Sequence, residues 1–147
     1  MKTHVVKGAE VAHDWYAIDA AGMTLGRLAS VVAQLLMGKG KPTFTRALDV
    51  GDFVVVTNAA QIKVTGNKLD SKMYARHSGY PGGFRSVTLR EVLAQHPTRA
   101  VEYAVRGMLP HNRIGEAMYR KLKVYAGPNH PHEAQMPKVL NLEGEQA

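Results

Sequence analysis

At 147 residues the chain is long enough for a hydrophobic core and short for two, so a single domain over 1–147 is expected. A hydrophobic fraction of 45% with 21% charged residues is globular composition. Zero cysteines exclude a disulfide or a thiolate metal site, and no apolar run reaches the roughly 18 residues of a membrane span.

The formal net charge is +7, and its excess arises where fifteen of nineteen Lys and Arg fall between positions 38 and 123, while the acids are spread evenly. Such a zone suits a polyanion, although a merely basic soluble surface explains the charge alone equally well. Met1 to His4 lack the apolar stretch that opens a secretory signal, so a cytoplasmic protein is expected.

Trp15 to Asp19 reads as a strand, followed by a turn at Gly22 and a helix from Thr24 to Met37. Leu25, Leu28, Val32, Leu35 and Leu36 share one face of that helix, and Gly38 stops it. Phe53 to Thr57 is a short apolar run rich in β-branched residues, the pattern of a strand covered on both faces in a parallel sheet. A shorter strand is expected at Ile62 to Thr65. An extended ribbon is expected from Lys68 to Ser78, returning after Gly79, Gly82 and Gly83 through Phe84 to Val87.

Thr88 and Glu91 form a capping box that opens a helix ending near His96. A second helix begins around Thr98, with Val101, Ala104, Val105, Met108 and Leu109 in an amphipathic repeat that Pro110 closes. A third, from Asn112, places Ile114, Ala117, Met118 and Leu122 together before a short strand at Val124 and Tyr125. This order argues for an α/β sandwich around a small mixed sheet. The tail after Gly127, with Pro128, Pro131 and Pro137, is expected to be extended and to wrap or contact something else.

The basic residues can then be placed. Alternate side chains of an extended ribbon share a face, so Lys68, Lys72, Tyr74 and Arg76 project together, with Asp70 the one acid among them. Such a surface tracks phosphates and offers an aromatic for stacking, whereas a solvated hairpin with guarding lysines has no need of Tyr74. His77, Arg85 and Arg46 lie in the same basic zone. Lys39 and Lys41, between and after Gly38 and Gly40, suit either a phosphate or the dipole at a helix end. Arg113, Arg120, Lys121 and Lys123 gather around the last helix, and Arg106 lies where it can pair with Glu102 four residues earlier.

Enzyme chemistry is poorly supported. Gly22 and Gly26 lack the full dinucleotide-binding fingerprint, and Gly38 to Lys41 is not a Walker loop. His130, His132 and Glu133 have zinc-binding side chains without the spacing that would set their geometry. No catalytic grouping stands out, so no cofactor, metal or small-molecule substrate is expected.

Val105 to Pro110, then Gly115-Glu116, then Leu122 to Gly127, closely resemble the signature of the bacterial large-subunit ribosomal protein L-thirteen family. Asp14 to Tyr16, Thr24 to Ala29, Gly51 to Phe53 and Val64 to Lys68 are similar to the family's other segments, in the family's order. The resemblance covers about residues 14–127, leaving extended termini at 1–13 and 128–147. It implies a three-layer α/β/α domain, with a mostly parallel sheet and a basic β-ribbon, that binds large-subunit ribosomal RNA early in assembly beside neighbouring ribosomal proteins. It also implies that the chain's own messenger RNA is a further partner to consider. A free-standing RNA-binding regulator is the alternative; it explains the charge but not the extent of the resemblance.

Overall fold

The computed structural model describes residues 3–142; those parts of the expected extended termini at 1–2 and 143–147 lie outside the described residues. Its elements are β1 (Trp15–Asp19), α1 (Leu25–Met37), β2 (Phe53–Thr57), α2 (Lys68–Ser71), β3 (Met73–His77), β4 (Phe84–Thr88), α3 (Leu89–Gln95), α4 (Pro97–Met108), α5 (Arg113–Arg120), β5 (Leu122–Val124) and β6 (Lys138–Leu140).

The central sheet has four parallel strands in the order β5-β2-β1-β6. From β1 to β2 to β5 the chain steps outward in one direction, and right-handed crossovers place the intervening helices on one face. That face carries Ile18, Val54, Val56 and Leu122, which pack with Leu28, Val32 and Leu36 of α1 and Val101 and Val105 of α4. The return to β6 steps the opposite way, so residues 125–137 cross the other face. There Trp15 stacks on Phe53 at 4.5 Å and lies 5.2 Å from His132, and Val55 beneath them is fully buried. The three-layer α/β arrangement is thus present, with helices on one side of the sheet and a connection bearing the single 3-10 turn Glu133–Gln135 on the other.

Local signals explain most of the elements. Val54, Val55 and Val56 are wholly buried, as a strand covered on both faces requires. Gly38 caps α1 at φ +75, a left-handed conformation that favours glycine. Thr88 and Glu91 form the reciprocal capping box of α3, and Pro97 opens α4.

Several expectations are corrected or refined. Ile62 to Thr65 makes one parallel bridge, Thr24 to Lys63, instead of a strand: its backbone bonds Met23 and Leu25 and staples the start of α1. The ribbon begins at Met73, because Lys68–Ser71 closes a helical turn in which the Lys72 amide donates to the Lys68 carbonyl. The tail wraps back onto its own domain, where Lys138–Leu140 pairs with β1 and the Lys138 ammonium lies 3.2 Å from Asp14. The strand expected at Val124 and Tyr125 begins earlier, at Leu122.

The crossing connection contains a titratable contact. The Tyr125 hydroxyl and the His132 Nε2 are 2.7 Å apart, so a neutral ring with its proton on Nδ1 accepts a hydrogen bond from the phenol, and the His130 Nδ1 accepts one from the His132 amide at 3.2 Å. Burial holds His132 below the usual histidine pKa, with further lowering from His130 and Lys123. A histidine whose folded pKa is depressed contributes stability above its unfolded pKa of about 6.5 and loses it as pH falls through the folded value. Acidification from about pH 6.5 downward should therefore loosen this connection and alter the fluorescence of Trp15, the only tryptophan. In His132→Gln, which still offers Tyr125 an acceptor, that response should be largely lost. An identical pH profile in the variant would assign the change to another group.

Candidate nucleic-acid interface

The ribbon sets the first part of a cationic surface. β3 and β4 pair antiparallel with Tyr74 opposite Val87 and Arg76 opposite Arg85, so these four side chains share a face. Arg76 and Arg85 are exposed, and among the described residues neither has an acidic partner within ion-pair distance. Like charges directly opposite one another destabilise a ribbon unless an anion lies between them. His77 belongs to the other face, where its Nδ1 accepts the Gly79 amide at 2.9 Å and shapes the turn.

Asp70, the acid expected among the ribbon cations, is removed from them. Arg90 bonds both its oxygens, at 2.8 and 3.0 Å, and that bond holds the carboxyl below its usual pKa. Lys68 stays exposed on α2, and Lys72 reaches over the Tyr74 ring at 5.6 Å. Tyr74 itself is half-buried against the core, 5.3 Å from Tyr103 of α4, and burial raises its hydroxyl pKa, with Tyr103 adding to the effect.

Helix α4 continues the surface. Arg99, Tyr103 and Arg106 are exposed at spacings of four and three residues and so share its outer face. Arg106 lies 5.5 Å over the ring of Tyr119, a cation–π contact, instead of pairing with Glu102 as its spacing suggested. Arg106, His111, Tyr119 and Arg120 line a groove of about 570 Å³ with Glu116 at its side. A glycine is required at position 115, where a side-chain carbon would collide with the Pro110 carbonyl oxygen, and the Asn112 side chain caps α5 by accepting the Gly115 amide at 2.8 Å. Next to this groove, across Pro110 and Asn112, Lys39 and Arg46 line a hollow of about 300 Å³. Arg113 is exposed in the first turn of α5, where the helix dipole disfavours a cation.

Two expected site residues are directed inward. Lys121 is only 6% exposed, and its ammonium donates to Asp49 at 2.5 Å and to the Gly51 carbonyl at 2.8 Å. Burial pushes its pKa down, while Asp49 pulls it back up. The Lys41 ammonium donates to Asp52 at 2.6 Å and to the carbonyls of Ala12 and Val50. Both lysines hold the 38–52 loop to the body and are withdrawn from the candidate RNA contacts.

The cluster Arg120, Lys121 and Lys123 therefore separates in three directions. Arg120 enters the groove at α5 and Lys121 points into the body. Lys123, paired in register with Val55, lies on the far side of the sheet near His132. Sequence reasoning also passed over Arg99, Tyr103, His111 and Tyr119. The spacing of Arg99, Tyr103 and Arg106 on one helix was the available signal; the position of Tyr119 beneath Arg106 depends on how α4 and α5 meet.

The family model described as Ribosomal protein L13 matches residues 13–131. The chain is 56% identical to the Large ribosomal subunit protein uL13 of Symbiobacterium thermophilum, covering 96% of this chain and 99% of that protein. It is 56% identical to that of Syntrophomonas wolfei, covering 98% and 100%. It is 53% identical to that of Pseudomonas paraeruginosa, covering 97% and 100%.

The inward lysine gives a direct test. Removing one partner of a buried ion pair leaves the other uncompensated, at a cost of about 3 kcal/mol for a carboxylate that keeps some solvent contact, whereas replacing both partners is far milder. Lys121→Met should accordingly lower unfolding stability by about 3 kcal/mol in denaturant titrations, and adding Asp49→Asn should restore most of the loss. A single variant as stable as the parent would show that Lys121 does not anchor the loop.

Proposed function

Since the chain belongs to the ribosomal protein L13 family, we propose that it is a structural constituent of the large ribosomal subunit that binds ribosomal RNA directly and supports subunit assembly. On this reading it works in the cytoplasm as part of the ribosome, without catalysis or a cofactor. The observation that carries RNA binding is the cross-strand pair of Arg76 and Arg85, exposed and without a carboxylate partner among the described residues. Phosphates between or beside two such guanidiniums turn a repulsive arrangement into a favourable one.

The proposed contact surface runs from that pair along the outer face of α4 to Arg106 and Arg120, with Lys39 and Arg46 beyond the second groove. Lys68, Lys72, His77 and Arg113 lie at its margins. Guanidiniums predominate on it, which suits a partner rich in phosphate oxygens. A free-standing RNA regulator would use the same cations, but near full-length similarity to large-subunit proteins favours the ribosomal reading.

In a lysate gradient the protein should travel with large subunits and whole ribosomes, and recovery mainly as free protein would overturn the ribosomal assignment. Arg76→Gln with Arg85→Gln should weaken binding to large-subunit ribosomal RNA and reduce the log–log salt slope by roughly 1.5, from about 0.7–0.9 per lost phosphate contact. Thermal unfolding should change little or rise, because the substitution removes a repulsion. Unchanged affinity and slope would assign this face to solvent.

A further inference from the structure

The groove between the ribbon and α4 adjoins the cross-strand arginine pair and shares Arg76 with it. It encloses about 650 Å³, within the range of about 300–1,000 Å³ common to small-ligand sites. Val87 and Val92 contribute an apolar lining, Arg76 lies on the ribbon side, and His96 and Arg99 lie on the helix side. None of its lining residues is acidic. Tyr103 is 44% exposed there, a large share for an aromatic residue packed beside another ring.

Tyr74 is poorly placed as a stacking platform, because Lys72 and Tyr103 already engage its ring. Tyr103 retains open surface, and cations flank it from both sides of the groove. An aromatic face between two guanidiniums fits one unit of an RNA strand: a base on the ring and its flanking phosphates on the arginines. A paired base cannot enter such a recess, since its faces are covered by its neighbours in the helix.

We propose that this groove receives a single unstacked nucleotide of the bound RNA, its base against Tyr103 and its phosphates between Arg76 and Arg99. This deepens the ribosomal-RNA reading and rests on it. An acidic protein segment would meet the same cations, but the groove is continuous with the arginine surface assigned to RNA, and the exposed ring gives an RNA base a stacking face.

The test measures binding of the full chain to large-subunit ribosomal RNA at several salt concentrations, with thermal unfolding as a control. Tyr103→Leu keeps an apolar side chain beside Tyr74 but removes the aromatic face; it should bind roughly tenfold more weakly at every salt, with the salt slope unchanged. Tyr103→Trp should bind within about twofold of the parent. Arg99→Gln should weaken binding and lower the slope by less than one, and it decides the matter if Tyr103→Leu unfolds early. Parental affinity for both Tyr103→Leu and Arg99→Gln, alongside weakened Arg76→Gln/Arg85→Gln, would overturn the nucleotide site and leave the broader RNA reading intact. Parental affinity in all of them would overturn both. Normal RNA binding by Tyr103→Leu with lost incorporation into subunits would assign the groove to a protein neighbour and overturn the proposal.

Discussion

The close approach of residues 49–52 to the end of α1 is the constraint on which the rest of the molecule depends. At Gly51 a side-chain carbon would collide with the Leu36 carbonyl, so only glycine lets the loop lie against the helix. The Asp52 amide then donates to Leu35, and its carboxylate accepts both the Asp14 amide at 2.9 Å and the Lys41 ammonium. The Gly51 carbonyl accepts from Lys121, which arrives from the junction of α5 and β5. One short loop thus fixes the starts of β1 and β2, the end of α1 and the start of β5. A larger residue at position 51 would disturb all four together, through backbone collision and not through lost burial.

Much of this architecture was legible because local and long-range preferences agree. β1, α1 and β2 follow from apolar periodicity, α3 from the capping box at Thr88, and α5 from the apolar face that begins after Asn112. The segment at 62–65 was misread since its apolar residues suit a strand, yet its backbone partners are the turn before α1 and not a sheet edge. Lys68–Ser71 was misread because alternation in polar residues says little; the helical turn brings Asp70 to Arg90, twenty positions away. The Arg120, Lys121 and Lys123 cluster was misread for a geometric reason. A helix turns about 100° per residue and a strand about 180°, so adjacent charges at a helix-to-strand junction diverge.

The candidate surface was legible in its charge but not in its shape. The positive zone between 38 and 123 is a sequence property, whereas the inward turn of Lys41 and Lys121, away from the exposed cations around them, depends on the fold. The chemistry follows the same division. Ammonium groups with several rotatable donors gather carbonyls and carboxylates inside the loop, while planar guanidiniums stand outside beside aromatic rings. A lysine-for-arginine exchange is therefore not conservative in either place.

The parallel pairing of β6 with β1 also affects how the sheet is made. Tyr16 and its partner Lys138 are about 120 residues apart, so at roughly 5–20 residues per second one edge of β1 waits about 10 s for its neighbour during synthesis. Pairing across such a separation is an entropically late step. Until then the strand presents unpaired amides and carbonyls to other chains. Its length of five residues and the exposed Asp19 at its end limit that hazard, as short charged edges do. The order of emergence thus makes the edge of β1 the part of the nascent sheet that is most in need of protection from premature association.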